Sequence, residues 1–276
     1  MRLPLFTLKS YQLDTLATLR RFLEKTVELN DADTAFYSMT KRPFIPVPKM
    51  PGLPYVCLRV PTGGGKTVLA AHAVGVSADA FLRTDAPTVL WLVPSQTIRD
   101  QTLASLQDRA NPNRRALADR FSENVRVMGI ADALYAKRAD YDGGACIIVA
   151  TLQAFRVEEK EGRKVYDGNG ELMDHFTGLP EALRDVLEKG PGGDPLPSLA
   201  NVLRLRRPMV IVDEAHNART SLSFDTLANL KPSLIVEFTA TPVIEGDNPS
   251  NVLHHVSAAE LKAAVFRHGI RTPLLG

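Results

Sequence analysis

The chain has 276 residues, 45% hydrophobic and 23% charged, enough to bury a sizeable core in one large domain or two small ones. Lys+Arg 33 against Asp+Glu 31 leaves a net charge of +2, which excludes a strongly basic or acidic chain whose partner is announced by charge alone. Two cysteines, Cys57 and Cys146, without metal-ligand spacing argue against a disulfide or zinc scaffold, and no apolar run is long enough for a membrane span, so a cytoplasmic protein is expected.

An amphipathic helix is expected over 11–25, and a proline-rich stretch, 27–54, separates it from the first strand. Strands are expected at 55–60 (YVCLRV), 88–93 (TVLWLV), 125–128, 146–150 (CIIVA), 209–212 (MVIV) and 234–238 (LIVEF). These runs are continuously apolar rather than alternating, the pattern of a parallel sheet buried on both faces. Helical periodicity at 67–82, 96–109, 113–120 and 221–230 supplies the crossovers, which gives an α/β, mostly parallel sheet with helices on both faces. The stretch 157–204 opens with VEEKEGRK and closes near GPGGDPLP, so it reads as a surface insertion carrying one helix at 180–189. RLRRP at 204–208 reads as a solvated strand entry, Trp91 as core, and His254–His255 as a solvated or packed pair rather than a metal site.

VPTGGGKT, residues 60–67, leaves a strand and opens a helix. Gly65, Lys66 and Thr67 match G-x-x-x-x-G-K-[ST], while Val60 stands where the first glycine is expected. Glycines at 63, 64 and 65 let the backbone turn successive N–H groups, with that of Thr62 nearby, toward phosphate oxygens. The helix that follows adds its amino-terminal dipole. Lys66 is then placed to reach the terminal phosphates and Thr67 to ligate Mg²⁺.

MVIVDEAH, residues 209–216, is a buried strand ending in adjacent carboxylates. Open parallel sheets bind ligands at their carboxyl edge, which puts Asp213 beside the phosphate loop as a Mg²⁺ holder and Glu214 as a general base for water. A helix cap formed by the same two acids is the alternative reading. FTATP, residues 238–242, follows another apolar strand; its threonines can bridge by hydrogen bonds, although threonine-rich strand ends are also commonplace.

Taken together, PTGGGKT, VLWLVPSQTIRDQ, CIIVATLQAF, VDEAH and FTATP occur in an order that resembles the first RecA-like domain of superfamily-two DEAD/DEAH-box helicases. Within that group the chain is most similar to the ATPase subunit of type III restriction enzymes. The resemblance implies a P-loop NTPase fold with ATP and Mg²⁺ as cofactors. It implies nucleic acid as a partner, DNA before RNA, and leaves room for a methyltransferase subunit. It matches Gly63, Gly65, Lys66 and Thr67 to the phosphate loop, Asp213 and Glu214 to the Mg²⁺ and water acids, and His216, Thr239 and Thr241 to nucleotide–nucleic-acid coupling. Pro94, Ser95 and Gln96 resemble one nucleic-acid contact motif, Thr151 and Gln153 another; Ser95 also has the profile of a helix cap. SYQLDTL places Gln12, after Tyr11, like the family's adenine-reading glutamine, although a glutamine on an amphipathic helix is ordinarily solvated.

The implied organisation is an N-terminal extension over 1–54, a RecA-like domain over 55–250 with its insertion at 157–204, and over 251–276 the start of a linker to a second motor domain. That second domain would supply arginine fingers, so one motor domain of a longer protein is expected, with weak turnover by itself. A nucleotide-dependent interaction module that binds ATP without translocating is the competing reading. A small-metabolite kinase accounts for neither FTATP nor the tandem acids.

Overall fold

The computed structural model describes residues 7–156, 164–214, 221–246 and 248–269, with the side chains of 221–223 and 264–269 left aside. Seven strands form its sheet: β1 Tyr55–Arg59, β2 Thr88–Val93, β3 Val125–Gly129, β4 Ala145–Thr151, β5 Met209–Asp213, β6 Leu234–Thr239 and β7 Val252–His255. Their order is β3-β4-β2-β5-β6-β1-β7, and every pairing is parallel. β2, β4, β5 and β6 are buried at every residue, as continuous apolar runs require of strands covered on both sides. The architecture is the RecA-like α/β fold that the motif order implies.

Eight longer helices accompany these strands among the described residues: α1 Ser10–Leu29, α2 Ala32–Thr40, α3 Lys66–Ser77, α4 Gln96–Gln107, α5 Pro112–Phe121, α6 Leu199–Arg206, α7 Ser221–Asn229 and α8 Ala258–Gly269. α1 buries Leu16, Leu19, Phe22, Leu23 and Thr26, the three-to-four-residue spacing of one helix face, and stops where Asn30 adopts the left-handed conformation. On the first face of the sheet Val89, Trp91, Ile147, Ile211, Val236 and Phe238 meet α1, α3 and α5. On the second, Leu90, Leu92, Ile148, Val210 and Ile235 meet α6, α7 and parts of the 164–206 stretch.

Several sequence expectations are corrected. The stretch 27–54 contains α2, capped by the Asp31 carboxylate on the Asp33 and Thr34 N–H groups, and Phe36 joins Phe22 and Phe44 in an edge-to-face series. The insertion is not only a surface excursion: Val165, Leu172, Phe176 and Leu187 are buried against the second face. The exposed apolar face of a parallel sheet must be covered, and here single side chains on short turns do the covering. The helix expected at 180–189 spans only Glu181–Arg184, because the Asn201 side chain pairs with both backbone groups of Glu188 and takes them out of a helical ladder. Arg204 and Arg206 end α6 instead of entering a strand, and each is ion-paired, to Glu188 and Asp142 respectively. The segment after 251 begins as β7, whose four residues with two histidines carry little strand signal, before α8 follows. Cys57 and Cys146 are buried on β1 and β4 and form no disulfide, and burial pushes the Cys146 thiol up to about 12.

Candidate functional site

β1 delivers the chain to a loop, 60–65, that turns into α3 at Lys66. Gly63 and Gly65 sit at φ +79 and +76, a left-handed conformation that a side chain makes costly, and Gly65 caps α3. Gly64 is needed for a different reason: a Cβ there would lie 2.6 Å from the Val60 side chain and 2.9 Å from the Pro61 carbonyl. Val60, the departure from the consensus, is fully buried, and its N–H donates to the Thr239 carbonyl at 2.9 Å. The loop is thereby tied to the end of β6.

Two side chains of α1 grip the loop from behind. The Tyr11 hydroxyl donates to the Gly64 carbonyl at 3.0 Å and the Gln12 amide nitrogen to the same oxygen at 3.3 Å. The Gln12 amide oxygen accepts from the Lys9 N–H at 2.9 Å, and the residue is almost wholly buried. The long sequence separation between Gln12 and the glycines is closed by the fold, and the solvated-glutamine alternative is excluded.

Lys66 and Thr67 open α3 facing the end of β5. Lys66 Nζ lies 2.6 Å from a Glu214 carboxylate oxygen, and the Thr67 hydroxyl donates to Asp213 Oδ2 at 3.4 Å. Asp213 is the last residue of β5 and nearly inaccessible. Burial, then the neighbouring Glu214 charge, push its carboxyl up to about 6, while the Lys66 ammonium and the Thr67 hydroxyl pull the other way. Glu214 holds a left-handed backbone, φ +59, fixed by its N–H donating to the Phe238 carbonyl at 2.9 Å. A buried carboxylate whose charge is incompletely compensated, beside a hydroxyl oxygen, forms a donor set suited to a hard divalent cation. Thr67 and Asp213 are therefore the residues that could hold Mg²⁺, and Glu214 is the partly exposed carboxylate beside them, ion-paired with Lys66.

A cleft of about 650 Å³ opens over this group, walled by Gly63, Gly65, Lys66, Thr67, Asp213 and Glu214 on one side and by Pro94, Ile98 and Gln101 on the other. Thr62 and Gly64 belong to the loop without lining the cleft. Thr239 is buried and its hydroxyl accepts from the Thr241 N–H at 3.1 Å, so the two threonines brace one turn beside the phosphate loop. Ser95 caps α4, accepting from the Ile98 N–H at 3.3 Å. Thr151 ends β4 and Gln153 follows on a short 3-10 turn. β2 and β4 are neighbours, so Pro94, Ser95, Gln96, Thr151 and Gln153 share one stretch of the carboxyl edge. That stretch begins three strand spacings from β1, roughly 14 Å. His216 lies outside the described residues.

Arg59 is the residue that sequence reading missed. It ends β1, and its guanidinium donates to the Ala240 carbonyl at 3.2 Å, joining the phosphate loop's strand to the TATP turn. A lone cation in the otherwise apolar run YVCLRV was the available signal.

Sheet, loop and paired acids together define a P-loop nucleotide-binding domain of helicase type. The family model described as "Type III restriction enzyme, res subunit" matches residues 5–244, and the chain belongs to that family. No curated protein matches the chain. Among solved structures it is similar to a nuclease-deletion mutant of the Type ISP restriction–modification enzyme LlaGI in complex with a DNA substrate mimic, at 16% identity and a TM-score of 0.44, over 95% of this chain and 21% of that one. It is also similar to the SWI2/SNF2 ATPase core of Sulfolobus solfataricus in complex with dsDNA, at 17% identity and a TM-score of 0.38, over 86% of this chain and 32% of that one. The chain thus spans about a fifth to a third of the length of these structures. Among the described residues no helix is long and apolar enough to cross a membrane.

Proposed function

We propose that the chain binds Mg²⁺-ATP and hydrolyses it as one motor domain of a nucleic-acid helicase or translocase, with DNA favoured over RNA. The observation that carries the reading is the convergence of Lys66, Thr67, Asp213 and Glu214 on one glycine-turned loop. Loop N–H groups and the amino end of α3 bind phosphate oxygens, and Lys66 neutralises the terminal phosphates. Thr67 and Asp213 hold magnesium, which when bound neutralises phosphate charge and polarises the phosphoryl group. Glu214 orients the attacking water and accepts its proton.

Lys66 and Glu214 form an ion pair at 2.6 Å. A terminal phosphate would compete for the same ammonium, which links phosphate binding to the position of Glu214. Gln12 reads the adenine edge only by exchanging its present contacts with Lys9 and Gly64, while Thr239, Thr241 and His216 couple the nucleotide to nucleic acid held along Pro94–Gln96, Thr151 and Gln153. A methyltransferase subunit is the protein partner that family membership suggests for the larger assembly.

Calorimetry tests the first step: the folded chain binds Mg²⁺-ADP, and Lys66→Ala weakens that binding at least tenfold, the loss of one charge-assisted contact. A folded chain that binds no adenine nucleotide would overturn the reading. In a protein that includes a second RecA-like domain, Glu214→Gln retains ATP but slows hydrolysis by at least a hundredfold, and DNA stimulates turnover more than RNA. Binding with no turnover in that longer protein would point instead to a nucleotide-dependent switch.

A further inference from the structure

The strands that carry the candidate nucleotide machinery at their carboxyl ends border a second cavity at their amino ends. It measures about 450 Å³ and lies where β2 begins at Thr88, where α6 ends before β5, and where Ser233 precedes β6. That volume falls within the range of small-molecule sites. Half of its wall is apolar: Phe81, Leu82, Ala86, Pro87 and Leu205. The other half is Thr84, Thr88, Arg206, Arg207 and Ser233, all hydrogen-bond donors, with no carboxylate in the lining.

The two guanidiniums differ. Arg206 is fixed by Asp142 at 2.5 Å and by the Tyr141 ring 5.3 Å away, which spends its charge locally. Arg207 has no side-chain partner among the described residues and is solvent-exposed. It closes α6 at φ +48, a capping position that glycine occupies at lower conformational cost. A cation at a helix carboxyl end is favourable in general, but Arg204 and Arg206 already supply that in the last turn of α6. The Ser233 hydroxyl and Arg206 Nε are also buried without a partner among the described residues, an unusual state for polar atoms.

We infer that this cavity is a binding site for a carboxylate carried on a compact apolar body, with Arg207 as its ion-pair partner and Phe81, Leu82 and Leu205 receiving the apolar part. One uncommitted positive charge favours a monoanion over a phosphate dianion. The same chemistry is offered by a free organic acid and by the carboxyl-terminal phenylalanine of a peptide. The site is separate from the nucleotide cleft by the length of a strand, and the inference does not rest on the proposed hydrolysis.

The test is an NMR titration of the full chain without nucleotide, using 3-phenylpropionate, its neutral amide, and a short peptide ending in phenylalanine as free acid or as amide. The expected result is saturable shifts at Thr84, Thr88, Arg206 and Ser233, with the amide forms at least tenfold weaker. Whichever acid binds more tightly names the source. Arg207→Gly removes the guanidinium at a backbone position glycine prefers, so its expected tenfold or greater loss of binding is not unfolding; Arg207→Lys retains part of the affinity. Equal binding of acid and amide, shifts confined to other surfaces, or an unaffected Arg207→Gly variant would each overturn the inference.

Discussion

The two faces of the sheet are covered by different means. On the first, α1, α3 and α5 lie as regular helices, and α3 also carries the phosphate loop's lysine and threonine. On the second, α6 and α7 are supplemented by Val165, Leu172, Phe176 and Leu187, single side chains from short turns of the 164–206 stretch. Face one therefore combines cover and the candidate nucleotide site in the same elements, whereas the insertion's side chains on face two serve as cover. Truncating a side chain on each face separates the two duties and gives the largest expected effect. Leu69 in α3 and Leu172 in the insertion are both fully buried, so each leucine-to-alanine change costs about 2–5 kcal/mol in denaturant unfolding. Only Leu69→Ala also weakens ADP binding by the molecules that remain folded, because the Leu69 side chain seats α3, the helix that carries Lys66 and Thr67, on the sheet. A Leu172→Ala protein with unchanged stability would show that the insertion is not part of the core.

The same contrast decides what could be read from the sequence. Six strands and the helices of the first face announce themselves by continuous apolar runs and helical spacing, and the site by residue types that phosphate chemistry demands in a fixed order. The second face's cover was legible only in part: the spacing at 221–230 marked α7, whereas nothing around Val165, Leu172 or Phe176 marked the short turns of the insertion as core. β7 was missed for a related reason, since Val252–His255 is short and half polar and is a strand only because β1 offers an edge. The N-terminal grip was half legible. SYQ marked Tyr11 and Gln12, but only the fold shows both reaching one carbonyl, that of Gly64.

The second effect is intermediate in size and opposite in sign. Asp213 is held in a setting that raises its carboxyl from 3.8 to about 6, chiefly by burial. Its folded-state value lies above the unfolded one, so its ionisation opposes folding as pH rises from 3.8 through 6 and the penalty is complete at neutrality. Asp213→Asn is therefore expected to stabilise the metal-free chain by on the order of 2 kcal/mol at pH 7.5 while removing Mg²⁺-dependent nucleotide binding. Scanning calorimetry without metal, paired with Mg²⁺-ADP titration, checks both halves. A destabilised Asp213→Asn would mean that the Lys66 and Thr67 contacts outweigh the burial cost.

The smallest effect is a pH dependence that both faces share but in different measure. His72 on α3 and His175 in the insertion are both held below the ordinary imidazole value, in each case mainly by burial. At His72 the nearby Asp119 charge opposes the shift; at His175 the Ala136 carbonyl, 2.9 Å from Nε2, does so first and Asp174 next. A folded-state value lower than the unfolded 6.5 means that the unfolded chain takes up protons first. Stability is then intact above pH 6.5 and falls as pH drops through 6.5 toward the lowered values. His175 is inaccessible and packs edge-on against Tyr141 at 5.1 Å, whereas His72 is half-buried, so the insertion should contribute more of the loss. Urea unfolding at pH 7.5 and pH 5.5 measures it: His175→Gln should flatten the difference more than His72→Gln. If the two variants flatten it equally, the insertion is no more sensitive to protonation than α3, and the faces differ in how they are built but not in how they respond to acid.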